Sequence, residues 1–449
     1  MPWERGHFFM SYIQGEGRSQ GTLFPVMLDD LIPADHVCRV LVAFVTGLAT
    51  AELGFERAEA AETGRPGYDP RDLLKLYLYD YLHHLRSSRR LEAECRRNVE
   101  LMWLLGRLYP DHKSIAEFRR IHRVAVTNAG AQLVQFARSC GLIRGEWVVI
   151  DGSKFRAVAN GNSVRDRDAL RRYLDSMEQA DAEQQVTLDP SAVQSAIEKL
   201  KRHPEPEVGF MRIAGGISPA YNVQTAVDAE HALIVTHAVT LDAADHRCLL
   251  PMAEAASQAL GKPATLNVVA DTGYSNGEHA SRCEEIGIVT YVPAKRSVNP
   301  FGLFDRSLFT YRADSDTFLC PEGNTLTRKQ LNLPMRTIRY EAAVKDCRAC
   351  PSRSLCTKSA WRVVSRSIDD DALNRMNARA TPAAMWLRRT TVEHPFGTIK
   401  YRIFGHPRLL LRGLAGAQTE ISIAIMAYNF KRIVKILGAT RFTQALAPA

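Results

Sequence analysis

The sequence lacks the long apolar segments that membrane insertion or export requires. No apolar run approaches the roughly 18 residues that a membrane-spanning helix needs, and the most apolar late stretch, Ile421 to Ala427, is soon followed by Lys431 and Arg432. Residues 1–20 have no apolar segment of the kind that a secretory signal contains. We therefore expect a cytoplasmic protein without a membrane partner.

Cysteines are few, odd in number and widely scattered. The chain has 9 of them in 449 residues, which argues against a disulfide framework in a protein of this size. This usage predicts a reducing environment. The apolar fraction of 46% is ordinary for a globular protein, so length and composition allow two or three domains.

Acidic residues are fewer than basic ones, 49 against 58, and the formal net charge is +9. The excess positive charge lies in two regions. Basic residues clearly outnumber acidic ones from Arg86 to Arg144, and only Glu393 and Glu420 oppose ten cations from Arg379 to Lys435. Two basic regions around a neutral middle favour a polyanionic partner, although Arg-rich helices that only keep a protein soluble explain the same charge.

Residues 1–145 are predicted to form a helical N-terminal domain. Apolar residues recur at helical spacing from Leu73 to Leu82, a second helix carries Leu91 and Cys95, and a third is expected over residues 114–136. The basic pairs of the second helix are candidate DNA-binding residues: Arg89, Arg90, Arg96 and Arg97. We interpret the domain as a helix-turn-helix-like DNA-binding module; a plain helical support domain is the alternative.

Residues 146–293 have the pattern of a mixed sheet flanked by helices. Strands are predicted at 147–151, 221–227, 232–236, 265–270 and 288–292, and helices at 246–260, 277–285 and around Glu393. The order is β-β-β-α-β-α-β-α. Two inserts interrupt it: a charged helical insert at 160–216, and residues 294–380, which carry four cysteines in short strands and loops. The last part of the core is expected at 381–437, followed by a tail at 438–449.

Two aspartates end strands that should be neighbours. Asp151 ends the first strand and Asp271 the fourth, and in this strand order the two strands lie side by side, so the carboxylates should face each other where ligands collect. A third carboxylate from the last helix would complete an oxygen-rich cage of the kind that Mg²⁺ prefers. Two such ions support in-line displacement at phosphorus. The alternative is that each Asp is only a turn residue or a helix cap.

Three sequence blocks resemble the catalytic blocks of DDE transposases from bacterial insertion sequences. They are Ile150-Asp151-Gly152-Ser153-Lys154-Phe155-Arg156-Ala157, Ala270-Asp271-Thr272-Gly273-Tyr274, and the stretch from Thr391 to Lys400. The segment Tyr221-Asn222-Val223-Gln224, followed by Asp228 and Asp245, is also typical of these enzymes. The resemblance covers nearly the whole chain, and it is strongest to the insertion-sequence family numbered eleven-eighty-two.

The third block contains a further likeness. Related transposases have a Tyr, Arg, Glu, Lys box with two, three and six residues between successive members, and Trp386, Arg389, Glu393 and Lys400 have that spacing here, with Trp replacing Tyr. On an ideal helix these four lie within an arc of about 60°. One face would then present a metal-binding carboxylate beside cations suited to phosphate oxygens, and Trp386, Arg389 and Lys400 are candidate DNA-binding residues. Pro395 is expected to kink the helix or to begin a new one.

The resemblance implies an RNase H-like, integrase-type core in a transposase that acts on double-stranded DNA. Asp151, Asp271 and Glu393 would be its catalytic triad and would hold two Mg²⁺ (or Mn²⁺) ions. The N-terminal domain would recognise the terminal inverted repeats, and the core would cleave the element ends and join their 3′-hydroxyls to target DNA. A homodimer or larger assembly, associated with the bacterial nucleoid, is expected. The alternatives are a stand-alone RNase H-like nuclease and a catalytically dead repressor derived from a transposase.

The second insert offers four thiols. Cys320 begins a Cys-Pro-Glu-Gly turn, Cys347 and Cys350 form a CxxC pair, and Cys356 follows. This pattern fits a tetrahedral structural Zn²⁺ site, and metal binding could supply folding energy to an insert with few apolar residues. Reduced free thiols and, with less support from the pattern, an iron–sulfur cluster are the alternatives.

Overall fold

A computed structural model of the protein describes residues 27–59, 67–182, 190–295 and 302–446. A helical N-terminal region is followed by a mixed six-stranded sheet with flanking helices and by a second, five-stranded sheet. The predicted mixed α/β class is therefore confirmed. Within the described ranges, no helix combines the length and the apolar character that crossing a bilayer would need.

The N-terminal region contains six helices in the described residues. Its helix starts follow local rules: Asp69 accepts a hydrogen bond from the Arg71 amide next to Pro70, and Asp111 accepts from the amides of Lys113 and Ser114. The helices are α1 (Val37–Thr46), α2 (Pro70–Leu82), α3 (Ser88–Cys95), α4 (Val99–Leu104), α5 (His112–Ile121) and α6 (Arg123–Ser139).

The single helix predicted over residues 114–136 is wrong, because α5 and α6 are separate and break at His122. This residue has φ −96° and ψ 32°, outside the helical range. Its ring is buried against Phe118 and Phe55, at centroid distances of 4.5 and 5.3 Å, and its Nδ1 lies 3.0 Å from the Phe118 carbonyl oxygen. The helix therefore breaks where the His122 ring is packed into the core, at a position where the sequence has no glycine or proline to predict the break.

The six-stranded sheet has the order β2-β3-β1-β5-β6, and β4 also pairs with β3. The strand β1 is antiparallel to β3 and parallel to β5. The predicted adjacency of the first strand and the strand before Asp271 is therefore confirmed. The strands are β1 (Trp147–Arg156), β2 (Gly209–Ile213), β3 (Gly216–Asp228), β4 (Ile234–Thr240), β5 (Leu266–Val269) and β6 (Ile288–Tyr291).

The helical insert is shorter than predicted. Its helices α7 (Gly161–Ala182) and α8 (Pro190–Lys201) are present, but β2 occupies the end of the expected range 160–216. The strand forms because it pairs with the first residues of β3 across a turn at Gly215 and Gly216, both at positive φ. The helices α9 (Leu249–Ala259) and α10 (Gly277–Glu285) lie where the sequence predicted them.

The cysteine-bearing insert forms an antiparallel sheet with a small hydrophobic core of its own. That core is centred on Phe318, Leu326 and Tyr340. The elements of the insert are β7 (Thr310–Arg312), β8 (Thr317–Leu319), β9 (Thr325–Asn332), β10 (Thr337–Ala342), α11 (Val344–Arg348), α12 (Arg353–Cys356) and β11 (Val363–Ser367).

The chain then returns to the main core through helices. These are α13 (Asp370–Arg379), α14 (Pro382–Gly397), a π-helix (Thr398–Ile403), α15 (Leu414–Leu437) and α16 (Ala439–Leu446). Residues predicted as a tail therefore include α16, whose Phe442 is fully buried. Its ring stacks on Phe136 at 4.8 Å and contacts the tilted Phe430 ring at 5.4 Å between centroids. Phe442, with Ala439 and Leu446 beside it, packs this helix against the main core.

The N-terminal helices and the mixed sheet share one hydrophobic core, and α15 packs between them. A buried ion pair joins the two regions. The Arg86 guanidinium donates to Glu420 at 2.5 Å and lies over the Phe404 ring at 4.0 Å, while Glu420, with no exposed surface, also accepts from the Leu410 and Leu411 amides at 2.8 and 3.0 Å. Residue 145, the predicted domain boundary, therefore marks a change from helices to strands, and one hydrophobic core continues across it.

We expect the substitution Glu420→Ala to lower the free energy of unfolding by about 3–5 kcal/mol, the usual loss when one partner of a buried ion pair is removed. It leaves the Arg86 charge without its carboxylate partner and the Leu410 and Leu411 amides without their acceptor. Thermal or urea unfolding measures the loss. Glu117→Ala, which breaks the exposed pair with Arg120, is the control and should change stability by ~1 kcal/mol or less. Equal losses in the two variants would contradict a structural role for the buried pair.

Candidate active site

The parallel pairing of β1 with β5 places two aspartates side by side. Val149 is opposite Val269 in this register, so Asp151 and Asp271, two residues further along each strand, are also opposite one another. Asp271 follows the end of β5 and caps a short 3-10 turn, where its Oδ1 accepts from the Gly273 amide at 2.7 Å. Both carboxylates therefore lie at the same edge of the sheet, as the sequence predicted.

An arginine from α14 contacts both aspartates. Arg388 Nη2 donates to Asp151 Oδ1 at 2.9 Å and to Asp271 Oδ2 at 3.2 Å. Burial raises the pKa of Asp151; the Arg388 charge opposes this shift and the Asp271 charge adds to it. Because one nitrogen atom of Arg388 contacts both carboxylates, a single positive group between Asp151 and Asp271 can bind to both of them.

A third carboxylate, Asp245, lies beside the pair in a buried polar network. Its Oδ1 accepts from Asn222 Nδ2 and Gln224 Nε2, both at 2.7 Å, and from Lys154 Nζ at 3.2 Å. The Tyr274 hydroxyl donates to Gln224 Oε1. Because Asn222 and Gln224 are almost completely buried, this network fixes Asp245 and Lys154 against the sheet.

The sequence missed the contact of Arg388 and the central position of Asp245. Arg388 directly precedes Arg389, the residue whose spacing from Trp386 and Glu393 fits the transposase box. Val392 and Pro395 are buried positions of α14, and on an ideal helix they lie on the same side as Arg388. Helical spacing therefore could have indicated that Arg388 faces the sheet. Asp245 was noticed only as part of a pattern typical of transposases, and the sequence alone could not show which polar groups surround it.

Glu393 does not join the two aspartates in this structure. Trp386, Arg389 and Glu393 form one exposed face of α14, as their spacing predicted, and Trp386 is 63% exposed. Lys400, the fourth residue predicted for this face, is instead half-buried in the π-helix that follows α14. On an ideal helix Glu393 lies about 140° around the axis from Arg388, which faces the sheet. In the described part of the chain, no group of three or more His, Cys, Asp or Glu side chains could hold a metal ion as it stands. The role of Glu393 stays a prediction.

Pro395 does not end α14, which continues through it to Gly397 and then becomes a π-helix. Pro395 therefore does not begin a new helix, and the π-helix that starts three residues later is a feature common at functional sites. The π-helix carries Lys400 toward the aspartates: burial lowers its pKa, while the Asp151 charge raises it. Lys400 lies 5.5 Å above the Phe155 ring.

Lys400 also lines a basic groove next to Asp151. The groove contains three further cationic side chains and a histidine, contributed by β1 and by the loop after the π-helix: Lys154, Arg156, Arg408 and His406. A groove with this charge, opening beside paired carboxylates, suits a phosphodiester backbone.

The four candidate DNA-binding arginines of the N-terminal region are all exposed. Arg89 and Arg90 belong to α3, whereas Arg96 and Arg97 follow its end. Arg97 pairs with Glu94, and Arg96 lies 5.5 Å above the Tyr109 ring. The structure leaves these side chains accessible to a ligand; their role stays a prediction.

The four cysteines of the second sheet line one small cavity. Asn324 donates its amide to Cys320 Sγ at 3.2 Å, and Cys356 is buried in the small core. All four are free thiols. They surround a common space, but within the described ranges they are not close enough together to hold a metal ion as they stand.

Comparison with known proteins supplies two family matches. The model described as "Transposase domain (DUF772)" matches residues 26–120, and "Transposase DDE domain" matches residues 214–430. The second match includes Asp271 and Glu393 and begins after Asp151. Among solved structures, the chain is similar to a piggyBac transposase in a synaptic complex with hairpin DNA, at 12% identity and a TM-score of 0.34, over 93% of this chain and 78% of that one. No curated protein matches.

We expect Gly152→Ala to destabilise the protein by about 1–3 kcal/mol, as overpacking of a filled site does. The added methyl group would lie 2.8 Å from Asp245 Oδ1 and 3.0 Å from the Tyr274 hydroxyl, so the polar network must shift. Thermal unfolding measures the effect. The control is Gly209→Ala, where no atom lies within 4 Å of the added carbon. Equal midpoints for the two variants would show that the network tolerates displacement.

Proposed function

The chain belongs to the DDE transposases of insertion-sequence type, and we propose that it cuts the ends of its own element and joins them to target DNA at the site of Asp151 and Asp271. The observation that carries this proposal is the register of β1 and β5, which brings the two aspartates of the family blocks together. The basic groove beside them supports a DNA backbone as the substrate.

DDE transposases use divalent metal ions, and we propose two Mg²⁺ (or Mn²⁺) ions here. The aspartates fit such a group, because both already contact one positive nitrogen of Arg388. Asp151 and Asp271 would hold the ions, with Glu393 as the third carboxylate. When bound, the ions would activate the attacking oxygen and stabilise the leaving oxygen.

The reaction has two displacements at phosphorus. In the first, a water oxygen attacks the phosphodiester at the element end, which leaves a 3′-hydroxyl on the element and a 5′-phosphate on the flanking DNA. In the second, that 3′-hydroxyl attacks a target phosphodiester and displaces a target 3′-oxygen. Lys400 and Lys154 are placed to bind phosphate oxygens near Asp151, so the chain contributes mainly positioning and charge.

Glu393 must move to meet the aspartates. The exposed face of α14 carries Trp386 and Arg389 beside it, and we propose that DNA bound on this face turns the helix, with the π-helix as the segment that yields. The N-terminal helices, with their exposed arginines, would recognise the terminal repeats. Pairing of two ends requires a homodimer or a larger assembly.

The exposed position of Glu393 also favours a second candidate, a transposase-derived repressor that binds element ends without cutting them. A wild-type protein that binds the terminal DNA and never nicks it, with either Mg²⁺ or Mn²⁺, would establish that alternative. Strand transfer from precleaved ends into a plasmid would instead separate a transposase from a stand-alone nuclease.

We expect Asp151→Asn, Asp271→Asn and Glu393→Gln each to reduce end cleavage by on the order of 10²–10³-fold or more, as loss of a charge-stabilising group in a transition state does. Binding of the terminal duplex should persist. Exposed carboxylates away from the site provide the controls Asp35→Asn and Glu254→Gln, which should cleave normally. Full activity in Glu393→Gln, with both aspartate variants inactive, would show that Glu393 is not the third carboxylate. Asp245 would then be the candidate for that role.

We also propose that Cys320, Cys347, Cys350 and Cys356 bind one structural Zn²⁺ ion, for which the sulfur atoms must close in by side-chain rotation. The common cavity and the amide hydrogen bond to Cys320 Sγ support this proposal. The sheet around them has a small core, and zinc binding would supply part of its folding energy.

Elemental analysis of the purified protein should find one zinc per chain. Cys350→Ser should lose the metal and unfold at a lower temperature, whereas Cys140→Ser, at a half-buried thiol of the N-terminal region, should retain it. Metal-free protein with four thiols that react with a thiol reagent would contradict the zinc site. So would visible absorbance and sulfide typical of an iron–sulfur cluster.

A further inference from the structure

A second cationic cavity lies where α2, the end of α14, the π-helix and α15 meet. Its volume is about 520 Å³. Six of its lining side chains are basic or histidine: His84, His394, Arg402, Lys431, Arg432 and Lys435. None of the described residues that line it is acidic, so its positive charge is not neutralised from within.

The cations at the rim are available to a ligand. Arg402, Lys431 and Lys435 are exposed, and within the described ranges none of the three makes a salt bridge. Arg432 differs, because its guanidinium donates to the His231 carbonyl oxygen. Burial lowers the pKa of His394, and the charges of Arg432, Lys435 and Arg402 lower it further, which is the effect of a local excess of positive charge.

The floor of the cavity is aromatic and apolar. Tyr81 is fully buried, Ile403 is nearly so, and the Tyr428 hydroxyl lies 3.2 Å from His394 Nδ1. On α15, Lys431 and Lys435 are one helical turn apart and share a face. Such a row of cations above a rigid floor suits successive phosphates of a polyanion better than a single small anion.

The π-helix connects this cavity to the proposed active site. Lys400 reaches the groove beside Asp151, whereas Arg402, two residues later, lines the cavity. His394 of the cavity directly follows Glu393 in α14. A DNA strand held in the cavity would therefore bind the helical segment that carries the predicted third carboxylate.

We propose that this cavity is a DNA phosphate-binding site that anchors the duplex between the N-terminal helices and the catalytic core. The inference rests on the proposed function, since it takes DNA as the ligand. Each phosphate contact should release one condensed counterion and add about 0.9 to the slope of log affinity against log salt. Arg402, Lys431 and Lys435 together should account for a slope of roughly 2.7.

The test uses the full-length protein and a fluorescein-labelled duplex of unrelated sequence, titrated by fluorescence anisotropy at several salt concentrations. The triple variant Arg402→Gln, Lys431→Gln and Lys435→Gln should lose roughly 2.7 from the slope, and its affinity at 0.1 M salt should fall by on the order of a hundredfold or more. Lys431→Gln alone should lose about 1 from the slope and roughly tenfold in affinity. These side chains are exposed, so unchanged thermal midpoints are expected.

The matched control removes three exposed cations from the cysteine-bearing insert by Arg312→Gln, Lys329→Gln and Arg348→Gln. It has the same loss of net charge and should keep the wild-type slope. Equal slopes in the cavity variant and the wild type, with DNA still bound, would overturn the cavity proposal and leave the transposase function intact. Failure of the wild type to bind any duplex, its terminal repeat included, would overturn both.

Discussion

The structure depends on the parallel pairing of β1 with β5. That pairing brings a carboxylate from residue 151 and one from residue 271, which are far apart in the chain, to the same edge of one sheet. Two such groups in a half-buried position repel each other, and the burial-raised pKa of Asp151 reflects the unfavourable environment. The fold compensates with the charge of Arg388, so this edge of the sheet is built to receive a positive group.

The aspartates lie between a buried polar network and the helix α14. Asn222, Gln224 and Tyr274 hold Asp245 and Lys154 in a buried network that has little freedom to move. The helix α14, by contrast, ends in a π-helix and presents different residues to the sheet and to solvent. The site therefore joins aspartates held by the sheet to a helix whose exposed face carries Glu393.

Cationic side chains are concentrated in three regions of the described structure. Exposed arginines in and after α3, the cavity beneath α15 and the groove along β1 lie on parts of the chain joined by one hydrophobic core and by the Arg86–Glu420 pair. Because α15 packs against both the N-terminal helices and the sheet, the two basic stretches, which are far apart in the sequence, belong to one continuous structure.

Strand patterns and helical spacing are local properties of the chain, so the sequence was enough to predict the strands before Asp151 and Asp271, their adjacency, and the shared face of Trp386, Arg389 and Glu393. It did not predict that the first strand continues past Asp151 to Arg156, because that extension depends on pairing with β3. Tertiary packing alone decided the break at His122, the strand β2, the burial of Phe442 and the direction in which that face of α14 points. The rotation of a helix about its own axis depends on which side chains the rest of the fold can bury. For that reason Arg388, and not Glu393, contacts the aspartates here.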